Sequence, residues 1–145
     1  MVRSGRGGSP ISACTLPIVS ILSRAARAGD GLPGLVAAAF VAHDVPDSTP
    51  AERADVARFV DEAVGSMPDV MRVGVRVAGL AAFGVLSCWG RGRFDRADDV
   101  RRADMAARLG GVALPGVGEF GRLTRGLGLA FVYESRHGAA AGGRT

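Results

Sequence analysis

The chain has no lysine: all 18 basic side chains are arginine, set against 14 acidic ones for a net charge of +4 over 145 residues. Without lysine there is no phosphate loop of the kind that closes on a lysine ammonium. The arginines are also dispersed, as Arg24 with Arg27, Arg72 with Arg76 and Arg101 with Arg102, and many have an acid at helical spacing. Asp98 precedes Arg102 and Asp104 precedes Arg108 by four residues, pairs that each steady an exposed helix by about 0.2–0.5 kcal/mol. That pattern describes a self-compensating surface rather than a concentrated field for nucleic acid. Histidine and cysteine are scarce too. Two cysteines, Cys14 and Cys88, allow at most one disulfide and no cysteine-rich zinc module, and they fit a reducing compartment. His43 and His137 stand in no H-E-x-x-H, H-x-x-E or paired-aspartate pattern, so no metal or cofactor of the chain's own is expected.

Long apolar runs are short of membrane length. The most apolar stretch leaves 14 uncharged residues, Val77 to Gly90, where a bilayer needs about 20. It reads as a buried helix of a soluble protein, with an interfacial helix as the next reading. The start, MVRSGRGGSPIS, has neither an adjacent arginine pair nor a sustained apolar region behind it, so no secretory leader and a cytoplasmic location are expected.

What is present is ordinary globular composition, 48% hydrophobic and 22% charged, which excludes wholesale disorder, collagen-like structure and a disulfide-dense scaffold. Apolar residues recur mostly at the helical period between Pro and Gly punctuation. The expected architecture is all-α, a single-domain bundle of about six helices over residues 11–137, with disordered tails at 1–10 and 138–145.

The first helix is expected from Ile11 to Ala28, stopped by Gly29-Asp30-Gly31, and the second from Leu32 to His43. Thr49-Pro50-Ala51-Glu52 has the form of a capping box with proline at the first helical position. The helix it opens carries Val56, Phe59, Val60, Ala63, Val64 and Met67 as a core stripe and turns Arg58, Asp61 and Glu62 outward. Ser66-Met67-Pro68-Asp69 opens the next, Met71 to Trp89, where Val73, Val75 and Val77 alternate as a strand would, while the length, the cap and the alanines favour a central helix with Gly74, Gly79 and Gly84 admitting close neighbours. Phe94 to Leu109 reads as one helix with Val100 near its buried face. Val117 to Arg136 reads as the last, with Gly121, Gly126 and Gly128 along it.

Few residues suggest chemistry. His43-Asp44 has the composition of a base and its orienting carboxylate, but neighbours at a helix end diverge, and no Ser or Cys is placed as a nucleophile. Gly116-Val117-Gly118 and Gly126-Leu127-Gly128 lack the dinucleotide fingerprint and read as close helix contacts. Arg72 and Arg76, and again Arg122 and Arg125, share a helix face and, where buried, need carboxylate or backbone partners, from Glu119 and Glu134, from a partner protein or from an anionic cofactor. With Trp89, Phe131 and Tyr133 they form the candidate partner-binding set; the aromatics equally suit a core.

The order of these features resembles a known family. A helix ends in H-D-V-P-D (His43 to Asp47), an acid-capped helix carries F-V-D-E (Phe59 to Glu62), and a long apolar helix follows. Then come F-x(6)-R-R (Phe94 to Arg102) with Met105 and Leu109, and R-L-T-R-G-L-G-L-x-F-V-Y-E (Arg122 to Glu134). Over about residues 16–137 this is similar to the small, gamma-type subunit of gluconate 2-dehydrogenase and its relatives, helical companions of flavin-dependent oxidoreductases of the glucose–methanol–choline class. The resemblance implies a non-catalytic accessory subunit that stabilises a large subunit holding FAD and the catalytic residues. Many members carry a twin-arginine leader; this sequence shows none, so the implied companion is cytoplasmic. The other function weighed is a helical interaction or regulatory domain touching nucleic acid through its dispersed arginines.

Overall fold

A computed structural model describes residues 31–89 and 94–142. Among them are five α-helices and no strand: α1 (Leu32–Asp44), α2 (Pro50–Gly65), α3 (Asp69–Trp89), α4 (Asp99–Leu109) and α5 (Val117–Gly142), with a 3-10 turn at Phe94–Arg96 before α4. The all-α expectation is met. Of the six helices expected, the one at Ile11 to Ala28 lies outside the described residues, as do Cys14 and the 1–10 tail.

The central helix is α1, not the Met71–Trp89 segment. Leu32, Val36, Ala39 and Phe40 of α1 meet Ala82, Phe83 and Leu86 of α3, Phe94, Ala106 and Leu109 around α4, and Val117 and Phe120 of α5. Its opposite side, Ala37 and Val41, meets Val56, Val60 and Val64 of α2 and Val132 of α5. A helix apolar all round belongs inside, and α1 has no charged residue before Asp44, whereas α3 carries Asp69, Arg72 and Arg76.

Local signals set the helix starts. Thr49 Oγ1 accepts from the Glu52 backbone N–H at 3.1 Å, with Pro50 opening α2 as expected. Asp98 does not pair with Arg102 but caps α4, accepting from the Arg101 N–H at 2.8 Å. That cap splits the expected Phe94–Leu109 helix, burying Phe94 in the 3-10 turn and leaving Val100 in solvent. In α1 no local side chain caps the start; Asp61 of α2 reaches across, its Oδ1 accepting from the Gly34 N–H at 2.8 Å. Asp61, expected to face outward, is therefore a cap supplied from 27 residues away. Gly116, at φ +83°, makes the turn into α5, and its N–H donates to Glu119 Oε2 at 2.7 Å.

The last helix runs beyond Arg136 to Gly142, through residues expected to be a tail. Residues 133–141 are exposed, so it is propagation from the packed part of α5 and the favourable alanines 139–141, not burial, that carries the helix on. Thr124, fully buried, satisfies its hydroxyl on its own helix, donating to the carbonyls of Phe120 at 2.9 Å and Gly121 at 3.2 Å.

The recurrent glycines divide into two kinds. A Cβ on Gly128 would lie 3.3 Å from Val41 and Val56 side chains, and one on Gly79 would lie 3.3 Å from the Phe120 ring, so these are close helix contacts as read. Gly74, Gly84 and Gly126 would meet nothing within 4 Å. At exposed Gly126, inside α5, alanine removes backbone entropy without meeting a neighbour. Gly126→Ala should raise stability by about 0.8–1 kcal/mol in denaturant unfolding; a loss would mean that α5 is not helical there.

Candidate partner-binding face

α3 packs through one side only. Gly79, Ala82, Phe83, Leu86 and Ser87 are buried against the domain. The other side carries Val70, Val73, Val77 and Leu80 at i, i+3, i+7 and i+10, and all are exposed, Val70 to 86% and Val77 to 62%. Gly74, Ala81 and Cys88 are exposed on the same side, and Met71 and Trp89 flank it. Of its most apolar 18-residue window, of mean hydropathy 1.5, only 28% is buried. By length and composition alone this helix could cross a membrane. The expectation that this segment is buried at the centre is thus corrected: the sequence marks it as apolar, and α1 takes the centre. Contiguous exposed apolar surface of this kind makes the outer side of α3 the candidate binding face.

The seven candidate residues fall in three places. Arg72, Arg76 and Trp89 lie on α3, Arg76 bordering the apolar row, Trp89 at the helix end, and Arg72 on the side that carries Gly79 and Phe83 seven and eleven residues on. Arg72 is tied locally, to the Asp69 carboxylate and, at 3.1 Å, to the Gly65 carbonyl; Arg76 is exposed and engaged within the domain. Trp89, at the helix end, is 41% exposed. Arg122 and Arg125 lie on α5. Arg122 takes Glu119 at 3.1 Å, as the sequence allowed. Arg125 takes Asp44 instead, Nε to Oδ2 at 2.7 Å and a terminal nitrogen to Oδ1 at 2.9 Å, with its guanidinium 5.8 Å from the Phe40 ring centroid. This two-pronged pair ties α5 to the end of α1. Phe131 is half-buried and packs against the core, its ring 4.8 Å from that of Phe59, while Tyr133 is exposed on α5. The structure thus assigns Arg125 and Phe131 to holding the fold and leaves Arg76 and Trp89 of α3 beside an open apolar face.

The same pairing settles the surroundings of His43. Its Nδ1 lies 3.1 Å from Asp44 Oδ1, but that carboxylate is already occupied by Arg125 and the imidazole is exposed. No group of three or more metal-ligating side chains occurs among the described residues.

A second long-range clamp was not legible in the sequence. Arg136 of α5 spans both oxygens of Glu52, at 3.0 and 3.1 Å, and reaches Asp47 at 3.1 Å. Hydrogen bonding from Arg136, helped by its charge and by the Thr49 backbone N–H, holds the Glu52 carboxyl below its ordinary pKa of 4.5. The Glu119 carboxyl is lowered as well, first by its own backbone N–H, then by that of Gly116, with Arg122 adding to both. A depressed carboxyl stabilises the fold fully above its unfolded value and stops doing so as pH falls through the folded one. Arg136→Ala should therefore raise the Glu52 pKa toward 4.5 in an NMR titration and remove part of the acid-side stability loss; an unmoved Glu52 would show that the clamp does not form.

Comparison with protein-family models, with curated proteins and with solved structures finds no match to this chain.

Proposed function

We propose that the chain is a non-catalytic helical accessory subunit that binds and stabilises a flavin-dependent oxidoreductase, seating it on the outer face of α3. The observation that carries this reading is the row Val70, Val73, Val77 and Leu80, uncharged and open along a helix whose other side is anchored in the domain. Each such side chain contributes about 1.5–3 kcal/mol when fully buried, enough in combination to drive association. The small residues Gly74 and Ala81 between them let another helix approach closely, and Arg76 and Trp89 border the face with side chains suited to an interface edge. The partner's class comes from the resemblance of residues 16–137 to the small subunits of glucose–methanol–choline flavoenzymes; FAD and catalysis belong to the partner in this reading, and the cytoplasm is its place.

A protein partner suits α3 better than a bilayer. Phe83 and Leu86 fasten the helix to the domain, and Asp69 with Arg72 puts an ion pair at the end of the stripe that lipid would have to desolvate. Co-expression with a flavoenzyme of that class from the same source is the test. The two chains should co-elute, with flavin content of the large subunit higher than when it is made alone. Separate elution with unchanged flavin content overturns the proposal, and binding to lipid vesicles in its place would transfer the face to a membrane.

A further inference from the structure

A cleft of about 230 Å³ opens between α1, α2 and α4, away from the partner-binding face. Leu35 and the alanines of α1 and α2, Ala39 and Ala57 among them, form its wall; Arg53, Asp99 and Arg102 are its charged groups. Elsewhere arginines close tightly on their acids, as Arg125 does on Asp44 at 2.7 Å and Arg136 on Glu52 at 3.0 Å. Here they do not. Arg53 stands 3.7 Å and Arg102 3.8 Å from the same carboxylate, Asp99, beyond hydrogen-bond reach, and that carboxylate is mostly in solvent. Both arginine side chains are by contrast largely covered. Arg102 spends one terminal nitrogen on the Ala97 carbonyl at 2.7 Å, while its Nε is buried with no acceptor. That buried nitrogen is out of reach of a ligand; the groups free to turn to one are the loosely held terminal nitrogens, Arg53 at 3.7 Å and Arg102 at 3.8 Å from Asp99. Pro50 and Asp99, the first residues of α2 and α4, bring two positive helix ends to the same rim.

Two guanidinium charges against one carboxylate leave a single positive charge, and the rest of the lining is hydrocarbon. We propose that this cleft binds a small monoanion with a short apolar body, a short-chain carboxylate, its charged end between Arg53 and Arg102 and its hydrocarbon against Leu35 and the alanines. The cavity is below the usual range for drug-sized ligands, about 300–1,000 Å³, which keeps the ligand short. A dianion such as phosphate would bring a second charge for which the lining holds no further cation.

The probe is sodium butyrate, titrated into the full chain at neutral pH and fixed ionic strength and followed by amide and arginine Nε NMR signals, with 1-butanol as the uncharged control. Butyrate should give saturating shifts confined to the segments around Ala39, Arg53 and Arg102. Arg102→Gln and Arg53→Gln should each weaken it by about tenfold or more, the loss of one charge-assisted hydrogen bond. Arg53→Gln leaves the bond of Arg102 to Ala97 in place and decides the matter if Arg102→Gln does not fold. Shifts that grow linearly without saturation, equal binding of butanol, or an unchanged response in Arg53→Gln would overturn the assignment.

Discussion

Gly34→Ala should destabilise the domain by about 2–4 kcal/mol, lowering its Tm by roughly 10 °C, although alanine is the better helix former by nearly 1 kcal/mol. The reason is position. A Cβ at Gly34 would stand 2.3 Å from the Ala57 carbonyl oxygen and 2.5 Å from Asp61 Oδ2. The first of these is backbone of α2 and cannot swing aside, so α1 and α2 must move apart where Val56 and Val60 meet Ala37 and Val41. The same displacement breaks the Gly34 N–H bond to Asp61, which is what caps α1. Two costs of opposite sign to the propensity gain therefore act together, and together they exceed it. Thermal unfolding beside Gly126→Ala makes the comparison sharp, since one chemical change gives opposite signs at two glycines that look alike in the sequence. A neutral or stabilised Gly34→Ala would mean that the two helices are not packed this closely.

The second large effect concerns the open side of α3. Val73→Arg with Val77→Arg should leave unfolding of the isolated chain within about 0.5 kcal/mol of the parent, because both residues face solvent, and should abolish co-elution with the flavoenzyme. Two charges placed in a buried interface lose their hydration without gaining partners, a cost of several kcal/mol each. If the double variant unfolds, α3 presents a different face; if it binds as before, the partner sits elsewhere.

How much of this was legible depended on distance along the chain. Thr49 and Glu52 lie three residues apart and Pro50 between them fixes the backbone, so the start of α2 could be read directly. Asp61 on Gly34, Arg125 on Asp44 and Arg136 on Glu52 join residues 27, 81 and 84 apart, and nothing in composition or period selects them from the other acids and arginines. Hydropathy found both apolar helices and misassigned the centre. The longer α3 reads as more apolar by sheer length, while the shorter α1 is the one uncharged around its whole circumference up to Asp44, and circumference decides which helix can be surrounded. For the candidate face, Arg72, Arg76 and Trp89 had pointed to the helix that carries the exposed apolar row. The sequence did not single out Val70, Val73, Val77 and Leu80, because the whole segment was expected at the centre of the bundle. Phe131, for which core and interface were both left open, packs half-buried against Phe59, since an aromatic on a helix stripe serves either with the same spacing.

The account rests on α3 offering its valine row to another protein, and labelling at Val77 examines that contact itself. A full-length Val77→Cys chain, with Cys14 and Cys88 replaced by serine, would be treated with a maleimide alone and as the purified complex with the flavoenzyme. The thiol should react freely in the isolated chain and at least about tenfold more slowly in the complex, as a residue at the dry centre of an interface does. Equal rates in a complex shown to be intact would contradict it.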